Sequence, residues 1–439
     1  MNELIILLIF EILLLSMAFF ISNNDIMDPS VVMCIMFLLS TATALININN
    51  WKIYYSPDTL MILVSGIFAF ICGENFYRFV FCGQLRCTFR YKKNFSTDDF
   101  NIKSWKLDFL ILFDLIICLW NLLSIIRAVG ESAADFNSLF LVYRRIGIRN
   151  LANGEKAVLS ILNQFLKITI ASGYIAGYLF TNNLIFKNKK KFEQIKLLII
   201  IVLSLLPGLM SGGRSGILRL LSSMVIEYYI IWHQKNGWHR NLSWKYIRYG
   251  IIGFIIAVPS FYYSLALLGR KTDKTIFTHV SAYLGSSIAL FNLYVEEPIQ
   301  RNLIGEESLY SVLKVLNFLG LSRASTSYNL EFRSLRIYDS NVYTFFRRPL
   351  HDFGLIGMYI FTAAIAFLFA WIYYKKIKYK NKRSCIYWVL LYGYLFYWIV
   401  CSSIIQYSVN YISAGTVITV AIMFILFKFM ITNRHKRSI

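Results

Sequence analysis

Charged residues are scarce in this chain of 439 residues. Only 15% of the residues are charged, whereas a soluble domain carries about a quarter. Apolar residues make up 57% of the chain, the mean hydropathy is +0.55, and the apolar residues fall in blocks of about twenty. A helix of that length crosses roughly 30 Å of hydrocarbon. Because backbone polar groups must be satisfied within lipid, the sequence predicts an all-α polytopic membrane protein.

Other features that the sequence lacks narrow the class of protein further. The seven cysteines fall in predicted spans or on the predicted cytoplasmic side, so a disulfide framework is not expected. Cys82 and Cys87 have no accompanying ligand set, so no metal site is predicted. The first apolar block has no basic leader and no cleavage site of small residues, which indicates a helix that stays in the chain. No internal repeat and no low-complexity linker divides the sequence.

The apolar blocks predict about eleven transmembrane helices, within a range of ten to twelve. The first eight spans belong to residues 1–268, a loop of 84 residues covers 269–352, and the last three spans and a basic tail cover 353–439. The predicted spans are 3–22, 29–46, 58–76, 107–127, 157–180, 196–211, 214–233, 247–268, 353–374, 384–402 and 409–430.

Basic residues fix the predicted orientation, because basic loops stay cytoplasmic. Alternate connections are rich in Lys and Arg, namely 74–106, 181–196, 234–248, 375–383 and the tail from Lys428. The C-terminus is therefore predicted to be cytoplasmic and the loop 269–352 to lie outside. This asymmetry, with contacts to anionic lipid headgroups, accounts for the net charge of +22, so no nucleic acid partner is predicted.

The outer loop is too rich in aromatic residues for a disordered linker, and loops of its length are usually functional. Its segment 277–295 is apolar enough for a span. A crossing there would place the basic segments 375–383 and the tail outside. We therefore predict a helix that lies in the interface or dips partway into the membrane.

Arginines recur on the predicted outer side. In the stretch GLMSGGRSGILR (208–219), Arg214 stands at a glycine turn that opens a helix, where backbone N–H groups and a guanidinium together suit a phosphate. A tight turn with a snorkelling arginine is the alternative. Arg270 follows the eighth span, and Arg347 and Arg348 precede the ninth. This convergence predicts an anionic ligand at the outer leaflet.

The stretch NVYTFFRRPLHDFGLIGMYIF (341–361) places Arg347, Arg348, His351 and Asp352 directly before a predicted helix. Asp352 is the first candidate for a general base, His351 the second and Asp339 the third. For Asp352 the alternative is capping of the helix predicted from Phe353. For His351 the alternative is an interfacial side chain without a proton-carrying role.

Two motifs carry a family resemblance. Asn341-Val-Tyr-Thr, followed by Arg-Arg-Pro-Leu-His-Asp-Phe-Gly-Leu-Ile-Gly, resembles the signature after the large periplasmic loop of Wzy-type oligosaccharide repeat-unit polymerases. The turn Ser-Gly-Gly-Arg-Ser-Gly (211–216) resembles a motif that those proteins share with the related O-antigen ligases. The motifs cover residues 195–375, and the topology is similar along the whole chain. Ser340 stands where the ligases have a histidine, which departs from the ligase pattern.

The resemblance implies a metal-independent glycosyltransferase of the GT-C type, without a cofactor, in the bacterial cytoplasmic membrane. It implies transfer of a glycan from undecaprenyl pyrophosphate to the next lipid-linked repeat unit, for O-antigen (lipopolysaccharide), capsule or exopolysaccharide. Membrane lipids, a chain-length regulator and a flippase are the implied partners. Family arginines that hold the pyrophosphate correspond to Arg214 and Arg270, and we predict that Ser215, Arg347 and Arg348 join them.

The remaining predicted site residues would contact the glycan. Tyr343, Tyr338 and Tyr328 would stack on sugar faces, with ordinary loop packing as the alternative, and Asn341, Arg323 and Arg333 would supply polar contacts. Fixed arginines stabilise a departing pyrophosphate without a metal. A ligase-like transferase and a flippase or transporter of lipid-linked glycans stay open, although a transporter should show internal repeats.

Overall fold

A computed structural model of the chain describes residues 2–82, 102–130, 136–152, 160–186, 191–238, 275–300, 303–321, 330–336, 339–378 and 385–431. The described chain is mostly helical. In chain order its first nine helices are α1 (Asn2–Ile21), α2 (Pro29–Ile46), α3 (Ile48–Trp51), α4 (Pro57–Cys82), α5 (Ser104–Val129), α6 (Phe136–Ala152), α7 (Ser160–Phe186), α8 (Lys191–Met210) and α9 (Ser215–Asn236).

Residues 275–431 contain shorter elements around one long helix. They are α10 (Ile276–Leu284), α11 (Ser286–Glu296), α12 (Tyr310–Phe318), β1 (Arg333–Ser334), β2 (Asp339–Ser340), α13 (Arg347–Ala370), a π-helix (Trp371–Lys378), α14 (Ile386–Val400), α15 (Ser408–Tyr411) and α16 (Ala414–Met430). The two strands pair antiparallel, with Arg333 opposite Ser340.

Six helices in the described part are long and apolar enough to cross a membrane. They are Asn2–Ile21, Pro29–Ile46, Pro57–Phe81, Ser104–Val129, Lys191–Met210 and Arg347–Lys378. The pair α10 and α11, bent by 46°, makes a seventh if it counts as one broken span. The prediction of an all-α protein with several membrane-spanning helices is thereby supported.

The other predicted spans have different outcomes. Helices α7 and α9 form where spans 157–180 and 214–233 were predicted. Helices α14 and α16 are apolar but shorter, at 15 and 17 residues. Span 247–268 lies outside the described residues.

Unit 1, one of two compact units, comprises residues 1–90, 275–388 and 395–416. Its helices α4 and α13 pack closely because Gly73 lets α4 approach the backbone of Ala363. At one end of this unit, Tyr373 of the π-helix donates to Asp25 in the turn between α1 and α2. At the other end of α2, Ser40 donates to the carbonyl of Leu284. The turn 22–28 and the loop that follows residue 275 therefore lie at opposite ends of α2.

The bend between α10 and α11 follows from local packing. A Cβ on Gly285 would lie 2.8 Å from the amide nitrogen of Ala44, so only glycine allows this approach to α2. Asn292, fully buried in α11, donates to the carbonyl of Tyr54 and accepts from the N–H of Ser56, both over 2.8 Å. The predicted helix over 277–295 is thus two helices anchored on the end of α2 and the start of α4.

Unit 2 comprises residues 91–274, 389–394 and 417–439. Helices α5, α7, α8 and α9 pack on one another. Gly173 of α7 lies against Ser204 of α8. Helix α6 covers one end of α5, where Leu139 and Tyr143 pack on Ile125 and Val129. This end of the unit is the end at which α8 stops and α9 begins.

Candidate functional site

Helix α13 begins at Arg347, with Phe346 as its N-cap residue, and not at Phe353 as the span pattern predicted. Asp352 consequently lies inside the helix, so the expectation that it directly precedes the helix is wrong. Two residues later the helical path breaks at Gly354, which has φ of 67° and ψ of −173°. That backbone conformation favours glycine, because a Cβ clashes there.

The Asp352 carboxylate binds a different segment of chain. It accepts from the N–H of Glu307 over 3.2 Å and from the N–H of Ser308 over 2.5 Å. The side chain is fully buried. Asp352 therefore holds the turn that leads into α12, as an N-capping carboxylate holds exposed N–H groups.

Arg347 lies between two carboxylates of the loop 269–352. Its guanidinium donates to Glu307 over 3.0 Å and to Glu331 over 2.7 Å. It also stacks on the ring of Tyr294, with 3.8 Å from Cζ to the ring centroid. Burial raises the pKa of Glu307 above its usual range, and the positive charges of Arg347 and Arg348 oppose that rise. The charge of Arg347 is thus compensated within the chain.

His351 has a partner on each ring nitrogen. Nε2 lies 2.9 Å from Oε1 of Glu306, and Nδ1 lies 3.3 Å from the hydroxyl of Tyr294. Because a carboxylate only accepts, Nε2 carries a proton in this arrangement. Nδ1 can then accept from the Tyr294 hydroxyl. A carboxylate that fixes the tautomer of a histidine is the arrangement that a positioned base requires.

The predicted glycan residues are scattered around this cluster. Arg333 donates to the carbonyl of Leu293 over 2.6 Å and forms an ion pair with Glu297 at 3.6 Å. Tyr343 is fully buried, and its hydroxyl donates to the carbonyl of Glu331 over 3.2 Å. The third base candidate Asp339 is exposed in β2, and Asn341 just after that strand is half-buried. Arg270, Arg323, Tyr328 and Tyr338 lie outside the described residues.

The sequence analysis missed the glutamates of this cluster. The predicted site contained arginines of the loop 269–352 but none of the glutamates that neutralise them. A signal was available, because the loop 269–352 contains eight of the 23 acidic residues of the chain, including the adjacent Glu306 and Glu307. Buried arginine almost always has a partner, so acids in the same loop should have been matched to Arg347.

The glycine turn of unit 2 joins α8 to α9. The N–H of Gly213 donates to the carbonyl of Gly208 over 2.9 Å, and Gly212 has φ of 73°. Arg214 is the N-cap residue of α9 and is 6% exposed, whereas Ser215 is exposed. Arg144 of α6 donates to the carbonyl of Gly212, which fastens the turn to the helix beside it.

A cavity of about 660 Å³ lies beside this turn, within the size range of small-molecule sites. Helices α5 to α9 line it, together with Tyr394. Its wall includes two cationic side chains, Lys167 of α7 and Arg219 of α9. Arg219, and not the predicted Arg214, is thus the arginine of segment 208–219 that faces this space.

The rest of the wall is rich in neutral polar groups. They are Asn121, Tyr143, Asn163, Gln164, Tyr174, Ser204 and Ser211. Lys167 donates to the amide oxygen of Gln164 over 2.8 Å. Amides and hydroxyls beside two cations can bind a phosphate group and a sugar at once.

Within the described residues, no group of three or more His, Cys, Asp or Glu side chains is placed to hold a metal ion. No protein-family model, no curated protein and no solved structure matches the chain.

Proposed function

We propose that this chain polymerises oligosaccharide repeat units linked to undecaprenyl pyrophosphate, at the outer face of the bacterial cytoplasmic membrane. In this proposal the protein is a GT-C-like glycosyltransferase with about eleven spans, a large outer loop and a cytoplasmic C-terminus. The observation that carries it is the cavity of unit 2, where Lys167 and Arg219 face a space lined by amides and hydroxyls.

In this proposal the cations of the cavity bind the leaving group. In the reaction, a sugar hydroxyl of the acceptor attacks the anomeric carbon of the donor chain, and the bond from that carbon to the pyrophosphate oxygen breaks. Negative charge then grows on the pyrophosphate, and fixed cations stabilise it. Glu307 and Glu331 compensate the charge of Arg347, so the proposal assigns the pyrophosphate to Lys167 and Arg219 of the cavity.

The proton of the attacking hydroxyl needs an acceptor. Asp352 is fully buried, and its two oxygens accept the backbone N–H groups of Glu307 and Ser308. His351 has a carboxylate partner in Glu306 that fixes its orientation. Within unit 1, His351 is therefore a stronger candidate for a base than Asp352.

The test uses purified protein in liposomes with a lipid-linked repeat unit. The readouts are the ladder of glycan lengths and the released undecaprenyl pyrophosphate. Arg219→Lys replaces a forked donor by a point charge and should lower chain growth at least tenfold. Lys167→Met should do the same. Lys191→Met is the matched control, because Lys191 is exposed at the first residue of α8, far along the helix from the cavity.

The outcomes separate the candidate functions. Normal ladders from the double variant Arg219→Ala, Lys167→Ala would remove the cavity from the site. Transfer of the glycan to a lipid A core without chain growth would favour the ligase. Movement of the lipid-linked glycan across the bilayer without a new glycosidic bond would favour the transporter.

A further inference from the structure

The end of unit 1 opposite the Arg347 cluster holds a second group of buried charged and phenolic side chains. They come from the turn between α1 and α2, from α4 and from the π-helix, and each is at most 7% exposed. The members of this inner cluster are Asp25, Asp28, Glu74, Arg78, Tyr373, Tyr374 and Lys378. Buried acids carry charge only where partners compensate it, so the charges can be counted.

In the first half of the inner cluster, around Asp25, positive and negative charges balance. Lys378 forms an ion pair with Asp25, and Tyr373 donates to the same carboxylate over 2.9 Å. The N–H of Met27 donates to the other oxygen of Asp25 over 3.1 Å. The carboxylate of Asp25 is thus neutralised by the ammonium group of Lys378, and the charges balance without an additional proton.

The second half has two acids and one cation. The Tyr374 hydroxyl lies within hydrogen-bond distance of Oδ2 of Asp28 and, at 3.2 Å, of Oε1 of Glu74. The Arg78 guanidinium stacks on the ring of Tyr374, with 4.6 Å from Cζ to the centroid, and donates to the carbonyl of Ile21. If both acids were ionised, this half would carry one uncompensated negative charge.

A count of protons leads to the same result. A phenol has one proton, so Tyr374 can donate to only one of the two carboxyls and must accept from the other. A carboxyl donates only when it is protonated. Ser30 does not supply this proton: its hydroxyl and its N–H donate to Glu74, the same N–H donates to Asp28, and both groups keep their own hydrogens. One of the two acids therefore holds a proton in this geometry.

We propose that Asp28, Tyr374 and Glu74 form a proton-binding site, and that the bound proton fastens the π-helix to the turn 22–28. Loss of the proton leaves two carboxylates facing one buried hydroxyl, and their repulsion opposes this contact. Burial, and next the charge of Glu74, raise the pKa of Asp28 well above its usual range. A π-helix of eight residues is rare, and such segments often mark functional positions. The proposal does not depend on glycosyl transfer.

The direction in which stability changes with pH follows from the number of protons bound in the folded and unfolded states. The folded site keeps a proton that the unfolded carboxyls release near about pH 4. Above that pH the folded state binds more protons than the unfolded state, so stability falls as the pH rises toward the folded pKa. The basic segment 375–383 predicts that this end faces the cytoplasm, with whose water the proton exchanges.

The experiment compares unfolding midpoints of the purified full chain in detergent between about pH 5 and pH 9. Glu74→Gln supplies a permanent N–H donor for Tyr374, so its midpoint should exceed that of the wild type at the alkaline end and fall less with pH. Asp28→Asn keeps the cap on α2, because asparagine caps as well as aspartate, and should also flatten the slope. Equal slopes in the wild type and both variants would overturn the proposal.

Two further measurements cover variants that fail to fold. Asp58→Asn is the matched control: Asp58 is exposed in the first turn of α4, sixteen residues before Glu74, so this variant should keep the wild-type midpoint and slope. The infrared spectrum of the wild type at neutral pH, minus that of either single variant, should show the carbonyl stretch of a protonated carboxyl. A difference spectrum with only carboxylate bands would also overturn the proposal.

Discussion

Arg347 donates to Glu331 over 2.7 Å at the mouth of α13, and the arginine side chain of this pair is only 1% exposed. Glu331 lies just before β1, so this contact fastens the strand region of the outer loop to the helix. An unpaired buried charge costs several kcal/mol, which explains why acids of the loop accompany the arginine. Arg347, which the sequence predicted to bind an anionic ligand, is thus paired with glutamates of its own chain.

Removal of Arg347 alone should be more damaging than removal of its whole ion-pair group. Arg347→Met leaves Glu307 and Glu331 without their cation and should cost about 3–5 kcal/mol of stability. The triple variant with Glu307→Gln and Glu331→Gln removes the stranded charges and should regain most of that loss. Chemical unfolding in mixed micelles measures both. If the stability lost in the triple variant equals the sum of the losses in the three single variants, the pairing of Arg347 with Glu307 and Glu331 is contradicted.

Substitution of Asp352 tests whether its role is structural or catalytic. Asparagine offers one oxygen where aspartate offers two to the N–H groups of Glu307 and Ser308. Asp352→Asn should therefore cost about 1.5–3 kcal/mol, the usual size of a hydrogen bond to a charged group. Limited proteolysis of the segment 303–321 and unfolding midpoints would report the loss. Unchanged stability together with abolished chain growth would instead identify Asp352 as the base.

His351 and Glu306 should act as a pair in the proposed reaction. His351→Gln should lower the rate of chain growth by about 10²–10⁴, the usual contribution of a positioned base. Glu306→Gln should lower it less, because the imidazole remains but its orientation is no longer fixed by a carboxylate. Single-turnover assays of glycan transfer measure both rates, with substrate binding as the control. If the double variant loses as much as the sum of both effects, the two residues act independently.

Helix packing in unit 1 should depend on Gly73. A Cβ at this position would lie 2.6 Å from the backbone oxygen of Ala363, which cannot move without displacing α13. Gly73→Ala should cost about 1–3 kcal/mol, as overpacking usually does. Gly177→Ala is the matched control: its Cβ would meet Cγ of Met224 at 3.1 Å, and a flexible side chain can move away. The yield of monodisperse protein and its unfolding midpoint compare the two.

The sequence predicted the helices well because hydropathy and length are local properties. The six long apolar helices fall on blocks recognised from composition, including 29–46 and 107–127. Boundaries were less accurate where polar residues are buried by tertiary contacts. Helix α13 begins at Arg347 because Glu307 and Glu331 compensate a charge that the pattern placed outside the helix.

The sequence by itself determined that this chain is a helical membrane protein, which connections concentrate basic residues, and which loop concentrates aromatic and charged residues. Only the tertiary structure decided which charges meet. It paired Arg347 with Glu331, placed Arg219 and Lys167 on one cavity, and joined Asp28 to Glu74 through Tyr374. Hydropathy follows from neighbours along the chain, whereas the partner of a buried charge is set by segments that lie far apart in sequence and meet only on folding.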